Sequence, residues 1–250
     1  MAQDFYVPVG PMQGVQVFTN TLVGSPVAPF SPNQLANLQI WYRGDKGISL
    51  NGSTVSAWAD QSGVGDVHRN ATQSTALNQP TYNASDPAYN GQATLSFASG
   101  SSNFMVASPF ATPVAGVTTT FMVMDSDMAA REFFLTTNGG NSIETIPPAT
   151  YADNLGVNVS VTSPSVIIGV YRGSASSNSA IYVNSKSPLL TGNAGADISF
   201  NTIWLASNVG SGFFQNGRIA ELIIYDRVLS STELSQVQTY LSARYGITLS

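Results

Sequence analysis

The chain has 250 residues, with 9 Lys and Arg, 14 Asp and Glu, one His and no Cys. A net charge of −5 without a basic run argues against nucleic acid or an anionic membrane surface as partner, and no apolar run reaches the ~20 residues of a membrane span. Absent cysteine excludes disulfides and zinc–thiolate sites, and the lone His68 excludes a multi-histidine metal centre and argues against a Ser-His-Asp triad.

Residues 1–30 stand apart. They hold Pro8, Pro11, Pro26 and Pro29, many apolar side chains (Phe5, Tyr6, Val7, Val15, Phe18, Leu22) and one charged residue, Asp4. Linkers are polar, so this segment is expected to be an extended arm that docks on a partner. No basic and apolar leader heads it, so a secretory signal peptide is not expected. Ser31 and Pro32 predict a short helical turn. Strands are expected at 38–42, 95–97 and 119–124. Leu155, Val157, Val159 and Val161 alternate with polar residues as a half-buried strand does. Residues 166–171 and 180–183 read as a hairpin, and 203–206 and 218–225 as the last strands. Asn51-Gly52, Asn90-Gly91, Asn138-Gly139 and Asn216-Gly217 are turn dipeptides. One helix closes the chain. Ser230 and Glu233 form a capping box, Leu234, Val237, Leu241 and Tyr240 share a face, and Gly246 ends it. The pattern predicts an all-β chain: an antiparallel β-sandwich or barrel with one C-terminal helix.

Several segments resemble the concanavalin A-like lectin/glucanase superfamily, in particular its laminin G-like jelly-roll domains. Residues 38–45 are similar to the opening strand with its Trp41. Residues 58–65, Trp-Ala-Asp-Gln-Ser-Gly-Val-Gly, are similar to a W-x-D-x-S-G-x-G turn. Residues 90–97 and 181–184 resemble two further strands, with Ser185 where relatives carry a turn glycine. Residues 214–230, Phe-Gln-Asn-Gly-Arg-Ile-Ala-Glu-Leu-Ile-Ile-Tyr-Asp-Arg-Val-Leu-Ser, carry the resemblance furthest. It covers residues 31–250 and implies two packed antiparallel sheets in jelly-roll order.

The superfamily includes glucanases, which need two carboxylates flanking the bond. Relatives that hydrolyse place them at an E-x-D-x-E or E-x-D-x-x-E spacing on one strand. Glu132, Glu144, Glu221 and Glu233 are the only glutamates, and none opens that pattern. Glu221 and Asp226 are five apart and would face opposite sides of a strand. No enzyme is expected, and no catalytic residue is singled out. Asp60, Ser62 and Asp66 could hold calcium in a glycine-containing loop, but an Asx turn is the preferred reading of Asp60. Asp125 and Asp127 read as a solvated strand end. No metal and no cofactor are expected. Trp41, Trp58 and Trp204 read as core, Tyr151, Tyr171, Phe213 and Phe214 as near loops, and His68 as a surface residue. None is chosen as a sugar contact.

The expected function is that of a virion surface protein of a tailed bacteriophage. Residues 1–30 would dock on capsid or tail proteins, and residues 31–250 would face outward and reach host glycans. A capsid decoration protein is preferred to a tail-fibre adhesin, with a secreted lectin as the further alternative. A homo-oligomer located on the virion is expected.

Overall fold

The computed structural model describes residues 29–152, 155–171, 178–194, 198–210 and 212–250. The expected arm, apart from Pro29 and Phe30, and most of the 173–179 loop lie outside the described residues.

The strands form two antiparallel sheets packed face to face, as expected of a sandwich. One sheet runs Leu38–Arg43, Gly217–Tyr225, Thr118–Ser126, Ser165–Tyr171, Ser179–Val183, Leu190–Gly192. The other runs Ile48–Asn51, Thr54–Trp58, Ala71–Thr72, Met105–Ala107, Ile203–Leu205, Glu132–Thr137, Ser142–Ile146, Ala149–Ala152, Leu155–Val157. Thr81–Asp86 and Gln92–Phe97 join them: Thr81 pairs with Thr54 of the second sheet, and Phe97 with Gly217 of the first. Val114–Gly116 and Ile198–Phe200 form a separate pair.

The central strands of the first sheet are buried on both faces. Along Thr118–Ser126, Met122 and Met124 enter the core between the sheets, while Phe121 and Val123 enter a second core beneath the helix Ser231–Tyr245. That two-sided burial is why the segment reads as a continuous apolar run instead of alternating. The helix seals the outer face with Val237, Leu241 and Tyr245. Its start is the predicted capping box, and Gly246 ends it at φ +67°.

A β-bulge interrupts Gly217–Tyr225. Ile219 pairs with Met124 and Glu221 with Val123, which leaves Ala220 unpaired. Ile219 and Leu222 point into the intersheet core, while Ala220 belongs to the core under the helix. Glu221 also turns to the helix side, where Tyr240 and Tyr245 donate to its carboxylate. The extra residue thus puts two successive side chains on one face.

One predicted strand is shorter than its pattern. The alternation from Leu155 to Val161 becomes a strand only over Leu155–Val157. The Val159 N–H then bonds the Val157 carbonyl, turning the chain, and Val161 is buried as an anchor, its N–H held by Met128 Sδ.

Candidate functional site

The richest polar cluster lies where Thr118–Ser126 ends, Glu132–Thr137 begins and residues 206–216 return to the sheet. Its base is an ion triad in which a half-buried Arg218 bridges two buried aspartates. The Arg218 guanidinium donates to Asp125 through Nε (3.0 Å) and Nη2, and to Asp86 through Nη1 (2.9 Å). It also sits 5.0 Å from the Tyr89 ring centroid. Asp86 takes further bonds from Thr94 Oγ1 (3.0 Å) and the Ala88 N–H (3.1 Å). The hydrogen bond to Asp125 raises the Arg218 pKa and keeps it charged. Gly217 permits this approach: a Cβ there would lie 2.1 Å from the Asp125 carbonyl oxygen.

Toward solvent, Asp127 accepts from Asn216 Nδ2 (2.6 Å) and the Ala129 N–H (2.9 Å). Ser126 Oγ donates to Glu132 Oε2 (2.6 Å), and the Asp127 carboxylate faces the same group. Burial, with Asp127 beside it, pushes Glu132 up to about 7. Asp127 is held low: burial opposes this, but the bonds from Asn216 and the Ala129 N–H outweigh it. Glu132 therefore carries its proton in mildly acidic solution, where Asp127 is ionised. Beside it opens a cavity of about 350 Å³ lined by Asp127, Thr162, Asn216 and Arg218 among others.

An aromatic rim adjoins the acids. The Phe133 N–H bonds the Phe213 carbonyl (3.1 Å), and their rings lie 5.9 Å apart. The Arg131 guanidinium is 4.8 Å from the Phe133 ring and 5.4 Å from Phe213, and donates to Glu144 at 2.6 Å. Phe213 is 52% exposed at φ +49°. A bulky residue in the left-handed region costs on the order of 1 kcal/mol or more, and such outliers gather at functional sites. Phe104 and Phe214 pair behind it at 6.1 Å.

The structure distributes the sequence candidates unevenly. Asp60 caps its own turn, accepting the Trp41 N–H (2.7 Å), the Ser62 N–H (3.1 Å) and the Ser62 hydroxyl, as the Asx reading expects. Asp66 accepts the His68 and Ala111 N–H groups, and the latter bond holds its carboxyl low. Among the described residues no group of three His, Cys, Asp or Glu could hold a metal. His68 is exposed, and Trp41 and Trp58 are core. Trp204 is only half-buried. Tyr171, read as near a loop, is buried between the sheets. Asp125 corrects the solvated-strand-end reading: it is buried because Arg218 neutralises it. From the sequence, Glu132 is placed only among the glutamates without a catalytic spacing and Asn216 only in a turn, and Arg131 and Arg218 are not drawn into a site. A signal was present: four of the eight residues 125–132 are charged, in a chain where 9% are.

The fold defines the chain as an antiparallel β-sandwich with one helix-covered sheet. No described protein family and no curated protein matches it. Solved structures do. A GH54 α-l-arabinofuranosidase soaked with 4-nitrophenyl α-l-arabinofuranoside matches at TM-score 0.56 and 13% identity, over 77% of this chain and 51% of that one. The binding domain of botulinum neurotoxin DC in complex with SialylT matches at TM-score 0.51 and 11% identity, over 84% and 52%. Trypanosoma rangeli sialidase in complex with the inhibitor DANA matches at TM-score 0.50 and 13% identity, over 85% and 36%. The chain spans about half the length of the first two. The likeness is one of fold. The expectation that the chain is no enzyme is corrected here, because two of these three structures are glycoside hydrolases. A missing E-x-D-x-E spacing excludes only hydrolases that use that spacing.

Proposed function

We propose that the chain is a carbohydrate-binding module whose sugar site is the Phe213–Arg131 rim and the adjoining Asp127–Asn216 mouth. The observation that carries this is Phe213: an exposed aromatic ring in the left-handed region, stacked on a guanidinium. A sugar ring presents a face of C–H groups and an edge of hydroxyls. The first packs on an aromatic face, and the second needs paired donors and acceptors. Asp127, Asn216 and Arg131 supply both kinds within one cluster. The neurotoxin binding domain with SialylT and the arabinofuranosidase soaked with an arabinofuranoside support the carbohydrate class by analogy of fold.

The finer reading is a bacteriophage adhesin: a virion surface protein tethered by residues 1–30, assembled as a homo-oligomer. The charge-poor surface and the proline-rich apolar segment support it. The aromatic rim favours a receptor-binding role over a cement role. The test is a glycan array with the full chain and its Phe213→Ala and Arg131→Ala variants. Binding that falls at least tenfold in both, with unchanged melting, is the expected result; binding indifferent to both overturns the site. Immunogold labelling with antibody to residues 31–250 tests location, and label on cell surfaces alone overturns the virion reading.

A further inference from the structure

The outer face of the second sheet carries another aromatic platform, beside the Phe213 rim. Phe133 pairs with Glu144, Glu144 with Tyr151, and Tyr151 with Gly156. Directly opposed residues of antiparallel strands share a face, so these residues make one row across the strands. Their neighbours Ile143, Ala152, Leu155 and Val157 point into the intersheet core, which turns the row outward. Gly156 leaves room for a ring: a Cβ there would lie 2.2 Å from Tyr151 Cε1. The Tyr151 ring thus lies over the Gly156 backbone, half-buried, and its hydroxyl has no hydrogen-bond partner among the described residues.

Between the two platforms stands the Arg131–Glu144 pair. Arg131 Nε donates to Glu144 at 2.6 Å, and the guanidinium rests against the Phe133 and Phe213 rings. Its Nη groups have no hydrogen-bond partner among the described residues, and the side chain is 43% exposed. A guanidinium fixed at one nitrogen, with the rest of its planar edge open, is a preorganised donor to adjacent sugar hydroxyls. Phe133 and Tyr151 stand two strand spacings apart, ~10 Å. One sugar ring cannot touch both platforms, whereas three linked units can. We propose, resting on the sugar site proposed at Phe213, that the ligand is a linear oligosaccharide of at least three units. It would run across the strands from Phe213, past Arg131, to a distal subsite on Tyr151.

Calorimetric titration of the full chain with cello-, malto-, manno- and chito-oligosaccharides of one to six units tests this. In the series that binds, affinity should climb at least tenfold between two units and four. Tyr151→Ala should remove that gain and leave disaccharide affinity as in the parent. Tyr151→Phe should keep the gain, which separates a lost platform from a loosened hairpin. Gly156→Ala, which drives the ring off the strand, should lose it, and Phe213→Ala should weaken every length. Affinity flat with length, or a Tyr151→Ala profile equal to the parent's, overturns the distal subsite and leaves the Phe213 site standing. Binding to none of the four series overturns the sugar site and the distal subsite together.

Discussion

Glu221→Ala should be among the most damaging single substitutions in the helix interface. Glu221 is fully buried, yet four groups converge on its carboxylate: Trp41 Nε1 at 2.6 Å, Tyr245 Oη at 2.7 Å, Tyr240 Oη at 3.0 Å and Arg244 Nε at 3.6 Å. Three hydrogen bonds to a charged acceptor are worth roughly 1.5–3 kcal/mol each. The carboxylate's own desolvation offsets part of that, and burial raises its pKa accordingly. Removing one partner of such a buried network costs about 3–5 kcal/mol. At ~2–4 °C per kcal/mol for a domain of this size, the melting temperature should fall by roughly 6–20 °C at pH 7. Glu221→Gln keeps one acceptor oxygen but turns an NH2 toward donors, so it should fall between the two. Calorimetry checks the melting, and Trp41 fluorescence checks the local environment. If Glu221→Ala melts within ~2 °C of the parent, where 1 kcal/mol would already show, the carboxylate does not hold the helix to the sheet.

Glu132→Gln should flatten the pH dependence of stability. The folded carboxyl titrates near 7 against 4.5 unfolded, so its contribution is full below 4.5 and lost as pH rises through 7. The variant should therefore match the parent at pH 4.5 and melt higher at pH 8; equal slopes across that range would contradict the assignment. Glu233→Ala removes the reciprocal half of the capping box, the bond to the Ser230 N–H, and the pair with Arg227, while Ser230 still caps the helix. Glu233 is held down to about 2, chiefly by Arg227, so its contribution is present above 4.5 and vanishes as pH falls through 2. Denaturant titrations at pH 7 and pH 2 should show that gap closing. Arg218→Met strands Asp86 and Asp125 side by side and should cost ~3–5 kcal/mol; urea unfolding reads it, and a loss under ~1 kcal/mol, the scale of an exposed pair, would mean the triad is solvated.

Local chemistry made the helix legible. A capping box and a C′ glycine act within four residues of the backbone they satisfy, so Ser230, Glu233 and Gly246 announce its ends. Central strands were legible as apolar runs, such as residues 119–124. In the second sheet Ile203–Leu205 and Leu155–Val157 were read, but several other short strands were not. Glu132–Thr137 and Ser142–Ile146 carry Glu, Ser and Thr at buried positions, which alternation cannot recognise. Their polarity is satisfied across the sheet or by side chains from distant loops, as when Thr136 Oγ1 donates to the Ser207 carbonyl. The same distance hid the site. Asp125 and Arg218 are far apart in sequence, and only the pairing of their strands makes an acid at a strand end a buried one. The acidic spacing was visible; the cation that neutralises it was not.

Thr118–Ser126 relates the two ends of the molecule. Near its start, the Thr119 hydroxyl donates to the Arg227 carbonyl and accepts the Leu229 N–H, fixing the approach to the helix. At its finish, Asp125 and Ser126 hold Arg218 and Glu132 at the candidate site. Seven residue steps separate them, ~24 Å at 3.4 Å per residue. Both faces of this strand are packed, so it cannot bend without opening a core. Under the function proposed above, force applied through residues 1–30 would reach Pro32 and Tyr225 before the loops around Phe213. A variant weakened at the helix, such as Glu233→Ala, should consequently lose tethering under load while its glycan affinity in solution stays that of the parent. If affinity falls in step, the two ends are coupled and the separation argued from this strand fails.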